Sequence, residues 1–216
     1  QDGKTINKNQ SLSLNSKETE VMLFFRNCFT HSSIMYRKKK LKKIMFNQDL
    51  KITQDYDAII KIARESKVKS LDENLVKFRY HENSITNNIE DKEKEEKIII
   101  GSQLERLGIE NSNQNIITHI NLKIRTIHKD VRLVFAQLGL LEDLLLGNKE
   151  LKIFPEPEFS NRLVRYWNNI MNNSCQYSLK LLAFYINSPF LRLSKKSFKG
   201  HLKFIFRCFI KYEVKY

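Results

Sequence analysis

Glycine and proline are scarce in this chain, six and three in 216 residues. That scarcity excludes a fold built on many tight turns and favours long helices over a many-stranded β fold. Cysteine is sparse as well. Cys28, Cys175 and Cys208 are far apart and odd in number, with no C-x-x-C pair, so neither a zinc site nor a disulfide framework is indicated. A reducing cytosol fits that usage. No apolar run approaches the length that spans a bilayer, and the opening QDGKTINKNQ has no apolar signal core, so nothing points to secretion. Internal repeats, low-complexity tracts and recognised nucleic-acid motifs are absent too.

Positive charge is what the chain has in excess. The net charge is +14 and the pI is near 9.6, which suggests a polyanionic partner: nucleic acid, nucleotide phosphates or an anionic membrane face. Lys, Asn and Ile are abundant throughout, and general compositional drift gives the same sign. The densest cluster, RKKKLKK at 37–43, reads either as a solvated helix face or as a contact for phosphate or membrane. Hydrophobic and charged contents of 41% and 29% are ordinary for a soluble protein. The length allows one good core, or a small core with a helical appendage.

In chain order, 1–15 reads as an extended loop. Ser16 is suited to cap a short helix through Phe25, with Val21, Met22, Phe24 and Phe25 as its apolar face. From Asn27 to Ile85 the pattern is that of a small α/β unit. His31–Arg37 (HSSIMYR) is a β-prone run, Thr53–Glu65 is a helix that opens on Thr53 as a capping residue and has Ile59, Ile60, Ile62 and Ala63 at helical spacing, and Leu75–Tyr80 (LVKFRY) alternates like a half-buried strand. Asp55 and Asp57 fall in the first turn of the helix, where free N–H groups and the macrodipole favour ionised carboxylates. Either a general base or simple helix capping accounts for them.

The charged segment 88–97 is a hinge or the start of a new helix, and a domain boundary is placed there, between 1–90 and 91–216. Beyond it helical spacing prevails over 98–107, 115–127 and 130–146, with Gly108, and Gly147 with Asn148, as C-terminal stops. Leu133, Val134, Leu138, Leu141, Leu144 and Leu145 read as core. IFPEPEF (153–159) is a turn, followed by helices over 160–172, which holds Trp167, and 177–187.

The order of three pieces is informative. Asn27, His31, Ser32, Ser33, Met35, Tyr36 and Arg37 come first. Phe46, Gln54, Asp55, Tyr56 and Asp57 follow, and then Phe78, Arg79, Tyr80, His81, Ser84, Ile85 and Thr86. Together they resemble the second half of the catalytic domain of bacterial family 2 glycosyltransferases of the GT-A type. The resemblance implies a GT-A-like acceptor half with a small sheet over residues 1–90, followed by an all-α region over 91–216. It also implies inverting transfer of a sugar from a nucleotide-sugar donor to a glycan or lipid-linked acceptor in surface polysaccharide synthesis. Asp55 would then be the general base, and Gln54 and His31 acceptor contacts. His81 would be a ligand to the family's divalent metal, Mn or Mg. Ile44 and Met45 stand where many relatives carry a Gly pair. The family's nucleotide-binding half, with its D-x-D motif, has no counterpart in the chain, so the expectation is a fragment inactive alone that does not hold the metal stably.

The tail, SKKSFKGHLKFIFRCFIKYEVKY, has the composition of an interfacial amphipathic helix. The expected helix covers 194–212, with Phe198, Leu202, Ile205, Phe206 and Phe209 along one side. Packing of those side chains against Trp167 and the Leu181–Tyr185 helix is the alternative. A non-catalytic basic helical protein binding a membrane surface or nucleic acid is the second functional reading. Nucleic acid is the less favoured partner, because the aromatics lie on apolar faces. The expected location is cytoplasmic, at the inner face of the plasma membrane.

Overall fold

The computed structural model describes residues 13–73, 75–77, 89–122 and 130–211. Among them every regular element is a helix, and the chain divides into two compact units, 1–99 and 100–216.

In the first unit, α1 (Ser16–Phe25) is capped one residue ahead of Ser16, the cap read from the sequence. Asn15 is the N-cap: its Oδ1 accepts the Glu18 N–H at 2.9 Å, and Glu18 accepts the Asn15 N–H at 3.0 Å. The Ser16 hydroxyl instead accepts the Val68 N–H at 3.1 Å. Helices α2 (Lys38–Ile44) and α1 both pack on α3 (Gln54–Glu65). Leu23, Leu50, Tyr56, Ile59, Ile60 and Ile99 form a core there, and the Tyr56 hydroxyl donates to the Leu23 carbonyl at 2.7 Å.

The small sheet expected in this unit is corrected: no strand occurs among the described residues. His31–Ser33 is a 3₁₀ turn, and both the N–H and the hydroxyl of Ser33 donate to the Thr30 carbonyl, at 2.9 and 2.7 Å. Such local bonds offer the backbone an alternative to a ladder. The chain then enters α2. Leu75, Val76 and Lys77 are exposed and irregular, so their alternation has no buried face, and 78–80 lie outside the described residues. A lone extended run has nowhere to place its N–H and C=O groups, so without a paired neighbour the β-prone composition is not enough. The α/β fold class therefore gives way to an all-helical one.

The start of α3 is also held differently from expectation. Thr53 makes no side-chain cap. Its N–H and hydroxyl donate to the Glu95 carboxylate at 2.8 and 2.9 Å, and the same carboxylate accepts the N–H groups of Lys51 and Ile52 at 2.8 and 2.9 Å. Burial by itself would push the Glu95 carboxyl up, but these four donors outweigh it and hold it below the usual glutamate range. Glu95 lies on α4 (Ile89–Arg106), the helix that begins in the charged 88–97 segment.

In the second unit α4 ends at Arg106, two residues before Gly108, whose φ of +71° suits glycine. After it come α5 (Asn113–Asn121) and α6 (Val131–Leu151), which pack on each other. The Asp130 carboxylate caps α6 by accepting the Arg132 N–H at 2.8 Å. Gly147 and Asn148 do not stop α6, which runs to Leu151 and ends on Lys152 in the left-handed region. Gly147 is small because the Leu107 carbonyl oxygen occupies the place of a Cβ. Asn148 is buried, and its amide brackets the next segment by accepting the Phe154 N–H at 2.7 Å and donating to the Phe154 carbonyl at 3.2 Å. Then α7 (Glu158–Asn172) packs on α6 and on α9 (Phe190–Leu193). A 3₁₀ turn, Cys175–Tyr177, leads into α8 (Ser178–Asn187), and α10 (Phe198–Phe209) packs on both.

An aromatic layer holds α7 to α10 together. Trp167 stacks on Tyr185 at 5.1 Å between ring centres, Phe204 lies 4.2 Å from Tyr185, and Phe190 lies 6.0 Å from Trp167. The Lys196 ammonium sits over three of these rings, 5.6 Å from Trp167 and Tyr185 and 5.3 Å from Phe204. Burial pushes its pKa down, against the opposing pull of Cys175 and Cys208. The Tyr185 phenol is pushed up to about 12, by burial first and then by Cys208.

Candidate functional site

The residues singled out in the first unit are placed as follows. Asp55 is half-buried in the first turn of α3, and its carboxylate accepts the Tyr56 N–H at 2.8 Å. Asp57 pairs with Lys61 at 2.6 Å, and Gln54 is exposed. His31 is exposed in the 3₁₀ turn, with its ring 6.4 Å from Tyr36 and 6.0 Å from Phe46. Burial first, and then the Asp55 charge, push the Tyr36 phenol up. His81 lies outside the described residues. Among those described, no three His, Cys, Asp or Glu side chains converge as metal donors.

The second unit offers a more definite surface. Between Glu158 and Glu213 the sequence contains no Asp or Glu, while it carries ten Lys and Arg. Within this acid-free stretch, the Ser197 hydroxyl starts α10 by accepting the Gly200 N–H at 3.2 Å. The helix then presents three distinct sides. Phe204 and Cys208 are buried, with His201 and Ile205 half-buried beside them, and the Tyr185 hydroxyl meets His201 Nδ1 at 2.6 Å. Phe198, Leu202, Phe206 and Phe209 follow one another at intervals of four, four and three residues, the spacing of a single helical stripe. They are exposed to 76%, 50%, 63% and 63%. The next row, Lys199, Lys203 and Arg207 at intervals of four, runs alongside that stripe.

The packing expected as the alternative is made by other residues of the helix, while Phe198, Leu202, Phe206 and Phe209 stay exposed. Phe204 and Cys208 make the packed side, while Ile205, expected on the exposed stripe, turns half inward. Further apolar side chains stand out on the neighbouring segments: Leu179 and Ile186 on α8, Leu193 on α9, and Ile210 after α10. No helix is long and apolar enough to cross a membrane among the described residues. Two features escaped the sequence reading, the acid-free stretch and the meeting of Cys175 with Cys208. The first was available from a running charge count, but 33 intervening steps of chain hid the second.

The fold and this surface together define an all-helical, strongly basic protein with an apolar helix face turned to solvent. No family model matches the chain, and no curated protein and no solved structure is significantly similar to it. That finding, with the absence of any strand among the described residues, overturns the resemblance to family 2 glycosyltransferases.

Proposed function

We propose that this protein binds the surface of anionic membranes, with α10 lying in the interface. The carrying observation is the exposed stripe Phe198–Leu202–Phe206–Phe209 beside Lys199, Lys203 and Arg207 on a helix whose opposite side is packed. An interfacial helix needs these parts: apolar side chains that enter the acyl boundary and cations that remain with the headgroups. Burying one such side chain fully is worth roughly 1.5–3 kcal/mol, and each cation at an anionic leaflet adds about 1 kcal/mol. Charge also argues against a second copy as the occupant. Two acid-free helices would bring their lysines face to face, whereas an anionic leaflet complements them.

Flotation of the purified chain with vesicles tests this. Co-flotation with phosphatidylserine-containing vesicles, absent with pure phosphatidylcholine and unaffected by equimolar DNA at about 150 mM salt, is the expected result. Binding to DNA or RNA without flotation, or concentration-dependent self-association without flotation, overturns the proposal.

A further inference from the structure

Cys175 and Cys208 belong to different elements, the 3₁₀ turn after α7 and the last turn of α10. Those two elements pack directly, and the two thiols share a hydrogen bond in an otherwise buried setting. Cys175 Sγ also lies 3.5 Å from the Met171 carbonyl oxygen and 3.6 Å from that of Asn172. Arg207 and Lys196 are the cations that act on Cys175. The neighbours of Cys208 along α10 are half-buried Arg207 and exposed Phe209, while Cys208 itself is buried.

The two sulfurs are not equivalent. The hydrogen bond from Cys208 favours the Cys175 thiolate, burial opposes it, and the charges of Arg207 and Lys196 favour it again. The same hydrogen bond, with burial, pushes the Cys208 thiol up and keeps its proton in place. The two thiols are thus already in contact.

We propose that Cys175 and Cys208 form an oxidation site, at which hydrogen peroxide converts the pair into an intramolecular disulfide that fastens α10 to the turn beneath it. The Cys175 thiolate attacks one peroxide oxygen, the O–O bond breaks, and hydroxide leaves, giving a sulfenic acid on Cys175. The Cys208 sulfur then attacks the Cys175 sulfur. The S–O bond breaks, the departing hydroxide takes the Cys208 proton, and water is released. Overall two thiols lose two electrons and two protons, and one peroxide becomes two waters. A small oxidant suits a pair of which both thiols are buried. Helix α10 is where a covalent tie has most to restrain, because only one of its three sides is packed.

The test uses the unaltered full chain without lipid, so it stands or falls apart from the membrane reading. The chain is treated with hydrogen peroxide, unfolded, alkylated and read by peptide mass spectrometry. The expected result is that alkylation falls from three thiols to one, on Cys28. A Cys175–Cys208 linked peptide pair should appear, and a reductant should restore all three. Amide exchange in 202–209 is expected to slow at least about tenfold in the oxidised protein. Dimedone present during oxidation should label Cys175. Three thiols still alkylated, sulfinic acid on Cys175 with Cys208 alkylated, a link through Cys28, or dimedone on Cys208 each overturns the assignment.

Discussion

Two lysine-rich helices, α2 in the first unit and α10 in the second, differ in what accompanies their charge. Helix α2 has lysines at 38, 39, 40, 42 and 43 in seven residues and no buried side chain of its own, and Lys43 is paired with Glu65 at 2.7 Å. Helix α10 spreads its cations along one row, with an exposed aromatic stripe on one side of that row and a core beneath. The difference teaches that α2 offers charge alone to solvent, whereas α10 sets its charge beside an unburied apolar stripe, the combination on which the membrane proposal rests. The +14 charge alone does not distinguish the two.

The sharpest way to break this comparison lies within α10 itself. Phe204→Ala removes the ring 4.2 Å from Tyr185 and is expected to cost about 3–5 kcal/mol. Phe206→Ala, two residues on and exposed, should stay within about 0.5 kcal/mol of the parent. Urea unfolding followed by tryptophan fluorescence measures both, and equal losses would mean that α10 has no inner and outer side. For membrane binding the ranking reverses. Phe206→Glu is expected to lower vesicle partitioning roughly 100-fold, combining lost apolar burial with an added negative charge. Far-UV circular dichroism should be unchanged, and partitioning within twofold would remove the stripe from the role.

The next effect separates the two helices by charge. Reversing Lys199 and Lys203 to Glu should reduce partitioning about 10–30-fold at low salt and less at high salt. The same reversals at Lys39 and Lys42 should change it by less than about threefold. Equal effects would make the binding a matter of net charge.

How much of this was legible beforehand depended on what each segment needed from a distance. The apolar face of α6, the helix around Trp167 and the helix in the tail were readable because 3.6-residue periodicity is local. The expected strands failed because pairing is non-local, and nothing in HSSIMYR or LVKFRY shows whether a neighbour exists. The resemblance failed in a related way: short motifs in the right order carried no sheet with them. Thr53 looked like a cap by type and position, yet a glutamate more than 40 residues away took its donors.

That glutamate gives the smallest expected effect, and it acts on the first unit alone. Because its hydrogen bonds hold the Glu95 carboxyl below the usual range, the stability it contributes is present above about pH 4.3. It is lost as pH falls through the lower folded value. Glu95→Gln should cost about 1–2 kcal/mol at pH 7 and flatten the acid limb between about pH 5 and 3. Amide exchange in α3, on which α2 rests, reports this. Exchange in α10 should not follow it, and a parallel loss there would erase the contrast between the two basic helices.

Trp167 is the chain's only tryptophan, fully buried and stacked on Tyr185 under the Lys196 ammonium. The protein therefore carries a built-in optical reporter that sees one unit and is blind to the other. Its emission is short-wavelength while the aromatic layer stands and moves red when water enters it. Peptide-bond circular dichroism averages over every helix. If the two signals melt at different urea concentrations, the halves unfold separately, a result reached without dye, label or mutation.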